Sequence, residues 1–205
     1  MKRPLIVGQG LILEQAMLTA KDADMDFLHA ELVTSDGFNF DLDEIFQNYP
    51  CTDFDVFVAL DERAVNQTRH KLIADMRLAG YALLNIVSPY AIVAPGIKLL
   101  GNVHIGAGCN LGLGCRLGTG TWLDPQVLIS ANTKVGNCAT LQAGAQLGVG
   151  VEIGRGSTLG PASITPNHAR IGRHCEWLLP GMLPAVLPDY SFHDSLMPEG
   201  ARILD

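Results

Sequence analysis

From Val87 to Ile171 an aliphatic side chain returns at every sixth position: Val87, Val93, Leu99, Ile105, Leu111, Leu117, Leu123, Ile129, Val135, Leu141, Leu147, Ile153, Leu159 and Ile171, with Thr165 the one departure. Two positions earlier runs a second register, from Ile97 through Val103, Cys109, Cys115, Thr121, Val127 and Thr133 to Ala169, and it holds only small or β-branched residues. A helix repeats every ~3.6 residues and a strand every ~2, so neither accounts for this period. A parallel β-helix built from hexapeptides does. Each hexapeptide supplies one short strand and one corner, and both registers point inward. Three hexapeptides close a triangular coil, so residues eighteen apart stack at roughly 4.8 Å, the spacing of neighbouring strands. Glycines such as Gly112, Gly136 and Gly154 follow the aliphatic position, where a turn uses their conformational freedom. Cys109, Cys115 and Cys175 fall on or continue the small inward register, which makes them packing residues rather than nucleophiles.

The period covers nearly five coils of a 205-residue chain, which leaves room for a second unit. The composition, 48% apolar and 17% charged with no apolar run of membrane-spanning length, is that of a soluble globular protein with no membrane span. MKRPLIVGQG reads as a first strand rather than a signal peptide, so the expected location is cytoplasmic. Five cysteines without paired spacing argue against a disulfide framework, and no metal site is expected. A net charge of −7 argues against nucleic acid as the main partner. Residues 1–88 hold fourteen Asp and Glu against seven Lys and Arg, whereas the remainder holds seven of each. That shift, with the restriction a proline places on the residue before it, sets a boundary at Ser88-Pro89. The expected division is an α/β unit over 1–88, a β-helix over 89–180, and a proline-rich apolar tail over 181–205 that packs on the β-helix or a neighbouring subunit.

In the first unit LIVGQG reads as a buried strand entering a glycine turn, followed by helical spacing in LILEQAMLTAKD. FLHAELV and FDVFVAL read as strands, DLDEIFQNY as a short helix, and ERAVNQTRHKLIADMRLAG as a longer helix ending at Gly80. Alternation of this kind predicts a small Rossmann-like parallel sheet. Gly8, Gln9 and Gly10 lie where amides at a helix N-terminus hold phosphate, although Leu13 stands where a dinucleotide fingerprint needs its third glycine. A tight strand-to-helix turn without ligand and a nucleotide-sugar diphosphate resting on Gly8, Gln9 and Gly10, with Asp61 at the end of the third strand, are both consistent with this pattern.

LIVGQG, FVALDERAVNQTRHKL and NIVSPYAIVAPG, followed by the hexapeptides, resemble the left-handed β-helix acyltransferases that modify nucleotide-linked amino sugars or sialic acid, the bacterial UDP-4-amino-sugar N-acetyltransferases among them. The resemblance covers nearly the whole chain. It implies a homotrimer, acetyl-CoA as co-substrate in a groove between neighbouring β-helices, and a nucleotide sugar between the two units. It also implies a histidine that takes the proton of the attacking amine and a backbone amide one coil onward that stabilises the oxyanion. Laid on the family's pattern without gaps, ISANTKVG puts Ala131 at the histidine and Asn132 at its acidic neighbour, and Thr140 at a second histidine nine residues on. The oxyanion amide is then that of Val149, and Arg155, Arg170 and Arg173 lie where coenzyme phosphates bind. Leu178-Leu179-Pro180 replaces a run of small residues beside the coenzyme groove.

Neither alanine nor asparagine accepts a proton near neutral pH. His168 and His104 are each about 10 Å, two strand spacings, from the positions they would serve, and His174 follows the Gly172-Arg173 turn. All three are read as surface or subunit-interface histidines, and Asp124 as a corner carboxylate that an interface would have to convert into a base. Two functions of different class follow: an acyltransferase with substrate-assisted proton loss or a relocated base, and a catalytically inactive relative that serves as a trimeric binding or assembly module.

Overall fold

The computed structural model describes residues 2–203. The first unit forms β1 (Arg3–Gly8), α1 (Gly10–Asp22), β2 (Leu28–Glu31), α2 (Asp43–Asn48), β3 (Phe54–Ala59) and α3 (Gln67–Leu78). Its strands pair in parallel in the order β2-β1-β3. Parallel strands covered on both sides need continuous apolar runs, and Leu5 to Val7 and Val56 to Leu60 are fully buried.

The long helical pattern from Glu62 does not become helix until Gln67. Ala64, Val65 and Asn66 instead take left-handed backbone angles, with φ of 50°, 51° and 61°. Non-glycine residues there cost about 1–2 kcal/mol each, and tertiary bonds offset it. The Asn66 side-chain amide donates to Gly156 O at 3.1 Å and Thr158 Oγ1 at 3.0 Å, across the junction with the second unit.

From Ile86 onward the chain winds into a three-sided prism of parallel strands two or three residues long. Each strand pairs with the one eighteen residues on, as Trp122 does with Thr140 and Leu128 with Gln146. Both inward registers fill the axis: Ile105, Leu111, Leu117, Leu123 and Leu141 are buried beside Val103, Cys109, Cys115 and Ala139. The prism continues past the periodic segment. Gly181–Met182, Val186–Leu187 and Ser191–His193 add a further coil, and Ala201–Arg202 folds back antiparallel on the last of these strands. Its register tightens, since Arg170 pairs with Val186 and Glu176 with Phe192, sixteen residues on. That shortening is why the apolar tail shows no six-residue rhythm.

The outward residues give the three faces different characters. One column runs Ile86, His104, Trp122, Thr140, Thr158, and the first unit docks on it. A second runs Ile92, Asn110, Leu128, Gln146, Ile164, Met182 and bears no charge. The third runs Lys98, Arg116, Lys134, Glu152, Arg170 and is charged. They are called here the docking, apolar and charged faces.

Candidate active site

Ala131 and Asn132 occupy the corner between the apolar and charged faces. The Asn132 N–H donates to Leu113 O at 2.8 Å and the Gly150 N–H to Ala131 O at 2.9 Å, so successive corners stack into a ridge of Leu113, Ala131, Val149 and Asn167. No side chain of this ridge titrates. Val149 stands one coil beyond Ala131, and its N–H is engaged: Asn167 Oδ1 accepts it at 2.9 Å. An oxyanion would have to displace that amide oxygen. His168 is exposed two coils from Asn132, and its ring covers Gly150, where a Cβ would come within 2.7 Å of Nδ1.

Thr140 lies elsewhere. It is on the docking face, which is opposite this corner in a triangular cross-section, and it is 2% exposed. Its hydroxyl accepts from Arg69 Nη2 at 2.7 Å and donates to Asn66 Oδ1 at 3.0 Å. The chain therefore does not bring Ala131 and Thr140 together within one subunit. Thr140→His should lower stability by about 1–3 kcal/mol through overpacking, whereas Ala131→His, at a partly exposed corner, should stay within about 0.5 kcal/mol; urea unfolding of both variants checks this.

His104 differs from its expected surface or interface role. It is buried at the junction of the two units, stacked on Trp122 with ring centroids 3.8 Å apart. Its Nδ1 faces Leu123 O at 3.1 Å and its Nε2 faces Thr19 Oγ1 at 3.0 Å. Burial holds the imidazole at a pKa of about 4, so it is neutral: Nδ1–H donates to the carbonyl and Nε2 accepts from the hydroxyl. Asp124, at the corner between docking and apolar faces, accepts from Trp122 Nε1 at 2.9 Å. Burial raises its carboxyl, the Trp122 bond opposes this, and Glu62 raises it further. Leu178, Leu179 and Pro180 sit at this corner one coil beyond Gly160, with Leu179 packed on the core.

At the N-terminal end of α1 a cavity of about 690 Å³ is lined by Gln9, Gly10, Leu11, Thr34, Gly37, Asp61 and Arg63 among others. Gln9 caps α1 without a side-chain bond and the first turn carries no acid, so the positive end of the helix dipole is unanswered. Gly10, at φ 61°, makes the turn. Gly8 is not in the lining; a Cβ there would meet Ala59 O at 2.1 Å, so its glycine serves the packing of β1 against β3. Asp61 is tied to Arg63 by bonds of 2.6 and 2.7 Å, and that guanidinium holds its carboxyl below the usual range. Arg63 also donates to Gly37 O at 2.7 Å and Gln9 Oε1 at 3.3 Å. It is the residue sequence reading passed over, and its signal was adjacency to Asp61 at a strand end.

The three late arginines separate. Arg170 is exposed on the charged face, Arg173 pairs with Asp189 at 2.7 Å, and Arg155 turns toward α3. Among the described residues no group of three or more His, Cys, Asp or Glu is placed to hold a metal, and no helix is long and apolar enough to cross a membrane.

No family model matches the sequence, and no curated protein matches it. Solved structures do. The acetyltransferase domain of PglB from Neisseria gonorrhoeae superposes with a TM-score of 0.82 at 16% identity, covering 93% of this chain and 96% of that one. A histidine-to-alanine mutant of GDP-perosamine N-acetyltransferase from Caulobacter crescentus, in complex with CoA and GDP-perosamine, gives 0.63 at 18% identity over 100% and 98%. WeeI from Acinetobacter baumannii gives 0.53 at 14% over 94% and 96%. A small parallel α/β unit followed by a parallel β-helix is thus the fold this chain shares with left-handed β-helix sugar N-acetyltransferases.

Proposed function

We propose that the protein is an acyl-CoA-dependent acyltransferase, with acetyl-CoA as donor and a nucleotide-linked amino sugar as acceptor, working as a homotrimer. The observation that carries this is the cavity at Gln9 and Gly10, where an uncapped helix end and the Arg63 guanidinium converge. Both are suited to a diphosphate. On this reading Gln9, Gly10 and Arg63 take the diphosphate, Asp61 holds Arg63, and Gly8 supports the turn from behind. Arg155 and Arg170, which make no side-chain hydrogen bond among the described residues although Arg170 lies beside Glu152, take the coenzyme phosphates, since Arg173 is already paired.

The apolar face supports the trimer. Ile92 is 68% exposed, Leu128 42% and Met182 64%, in a column without charge, whereas the docking face is covered and the charged face resists desolvation. Contact through the apolar face leaves Ala131 and Val149 at its edge, beside a neighbouring subunit.

In the reaction the amine nitrogen attacks the thioester carbonyl, the C–N bond forms, the C–S bond breaks with its electron pair leaving on the coenzyme thiolate, and the amine proton departs. Ala131 cannot take it, so the proton leaves to the substrate, to solvent or to a relocated carboxylate such as Asp124. Among the solved structures, a transferase lacking one histidine is described with both ligands bound. The second reading, an inactive trimeric binding or assembly module, is favoured by the bond that occupies the Val149 amide. Calorimetry separates the two: micromolar binding of acetyl-CoA is expected, and no heat at millimolar coenzyme would leave only the second. Ala131→His should raise turnover about a hundredfold; abolished activity would show that this corner is not the reacting one.

A further inference from the structure

A second cavity, of about 390 Å³, lies at the junction of the two units on the corner between charged and docking faces. Its walls come from the start of α3, with Asn66, Gln67, His70 and Lys71, and from successive coils, with Asn137, Arg155, His174 and Tyr190. That volume falls within the range of small-molecule sites. No Asp or Glu lines it.

The charges there are unbalanced. Arg155 makes no hydrogen bond or ion pair through its side chain among the described residues. The Lys71 ammonium donates at 2.8 Å to Asn39 Oδ1, a neutral partner. The nearby carboxylate, Asp189, is outside the lining; its Oδ2 accepts from the Arg173 guanidinium and its Oδ1 from the Arg173 N–H, and His174 also lies within reach of its charge. His174 stacks on Tyr190, centroids 5.6 Å apart, forming a flat wall. The N-terminal end of α3 has no acid in its first turn and no side-chain cap. An anion there would meet both this uncapped helix end and the unpaired Arg155 guanidinium. The left-handed turn at Ala64, Val65 and Asn66 is what carries α3 to this corner. Backbone strain of this kind persists where surrounding bonds hold it, and it gathers at ligand sites.

We propose that this cavity is an anion site for a phosphate or diphosphate group, bound by Arg155 and Lys71 with His70 and His174 beside them. It is separate from the Gln9–Gly10 cavity but shares Arg155 with the coenzyme-phosphate role proposed above, and competition with acetyl-CoA tells the two apart.

Pyrophosphate titrated into the full chain carrying Arg63→Gln, so that the first cavity contributes less, tests it. The imidazole resonances of His70 and His174 should shift saturably while those of His29 and His193 stay in place. Arg155→Gln and Lys71→Gln, each checked for folding by circular dichroism, should weaken binding by about tenfold or more, as loss of one charge-assisted contact does. Lys98→Gln, on the charged face outside the cavity, should leave the affinity unchanged. Displacement of pyrophosphate by acetyl-CoA would identify the coenzyme as the source of the phosphate; retention would identify a separate phosphorylated ligand. Unmoved His70 and His174 resonances at 10 mM pyrophosphate, or equal affinity in both cavity variants, would overturn the proposal.

Discussion

Arg69→Ala is expected to destabilise the protein by about 3–5 kcal/mol, the cost of breaking up a buried polar cluster and leaving a cavity. Arg69 is 1% exposed and lies between the two units. Its Nη1 donates to Leu60 O at 3.1 Å, and its Nη2 to Asn66 Oδ1 at 2.5 Å, Thr140 Oγ1 at 2.7 Å and Cys138 O at 3.1 Å. None of these acceptors is a carboxylate. Burial lowers its pKa, while Cys138, Glu62 and Asp61 oppose that, and a guanidinium stays protonated regardless. Removing it strands the Leu60 and Cys138 carbonyls, leaves Asn66 Oδ1 with the Thr140 hydroxyl alone, and loosens the left-handed turn that Asn66 anchors. Arg69→Met refills the volume without the donors, so it should recover only part of the loss. Urea unfolding followed by tryptophan fluorescence measures both, because Trp122 sits on the docking face. A loss below about 1 kcal/mol for Arg69→Ala would mean that the units dock through apolar contacts alone.

Acid should loosen the same junction through His104. Its pKa falls from 6.5 to about 4 on folding because the charged ring is cut off from water. The unfolded chain therefore binds a proton between those values while the folded chain does not. Above pH 6.5 the group makes no pH-dependent contribution; as pH falls from 6.5 toward 4 the folded state loses up to about 3 kcal/mol relative to the unfolded one. His104→Phe keeps the volume and a ring against Trp122, and Leu123 O retains the Gly106 N–H at 3.0 Å. This variant should lose that part of the slope. An identical slope in both proteins would place the acid sensitivity elsewhere.

The alternation of strands and helices announced the parallel sheet, and the six-residue registers announced the prism to the level of which side chain faces inward. The corner at Ala131 followed from the same counting. The site was harder. Thr140 sits nine residues from Ala131, and a hexapeptide register alone does not reveal that the first unit covers the face on which it lies. Val149 stacks one coil beyond Ala131, yet its amide is taken by Asn167, the residue stacked one coil further on; the repeat brings the two together, as it does Thr119 and Asn137, but the side-chain bond appears only in the folded corner. Arg63 reads in the sequence as one charged residue among many near a strand end. Its contacts to Gln9 and Gly37 bring together three loops.

The sequence by itself determined the path of the backbone, because inward packing every sixth residue is a local, repeated condition that each coil must satisfy. Only the tertiary structure determined which polar residues are buried, which amides are engaged and where charge is left unanswered. Those depend on how the α/β unit seats against one face of the prism, through contacts between residues 69 to 92 positions apart in the chain, such as Arg69 with Cys138, Thr19 with His104 and Asn66 with Thr158.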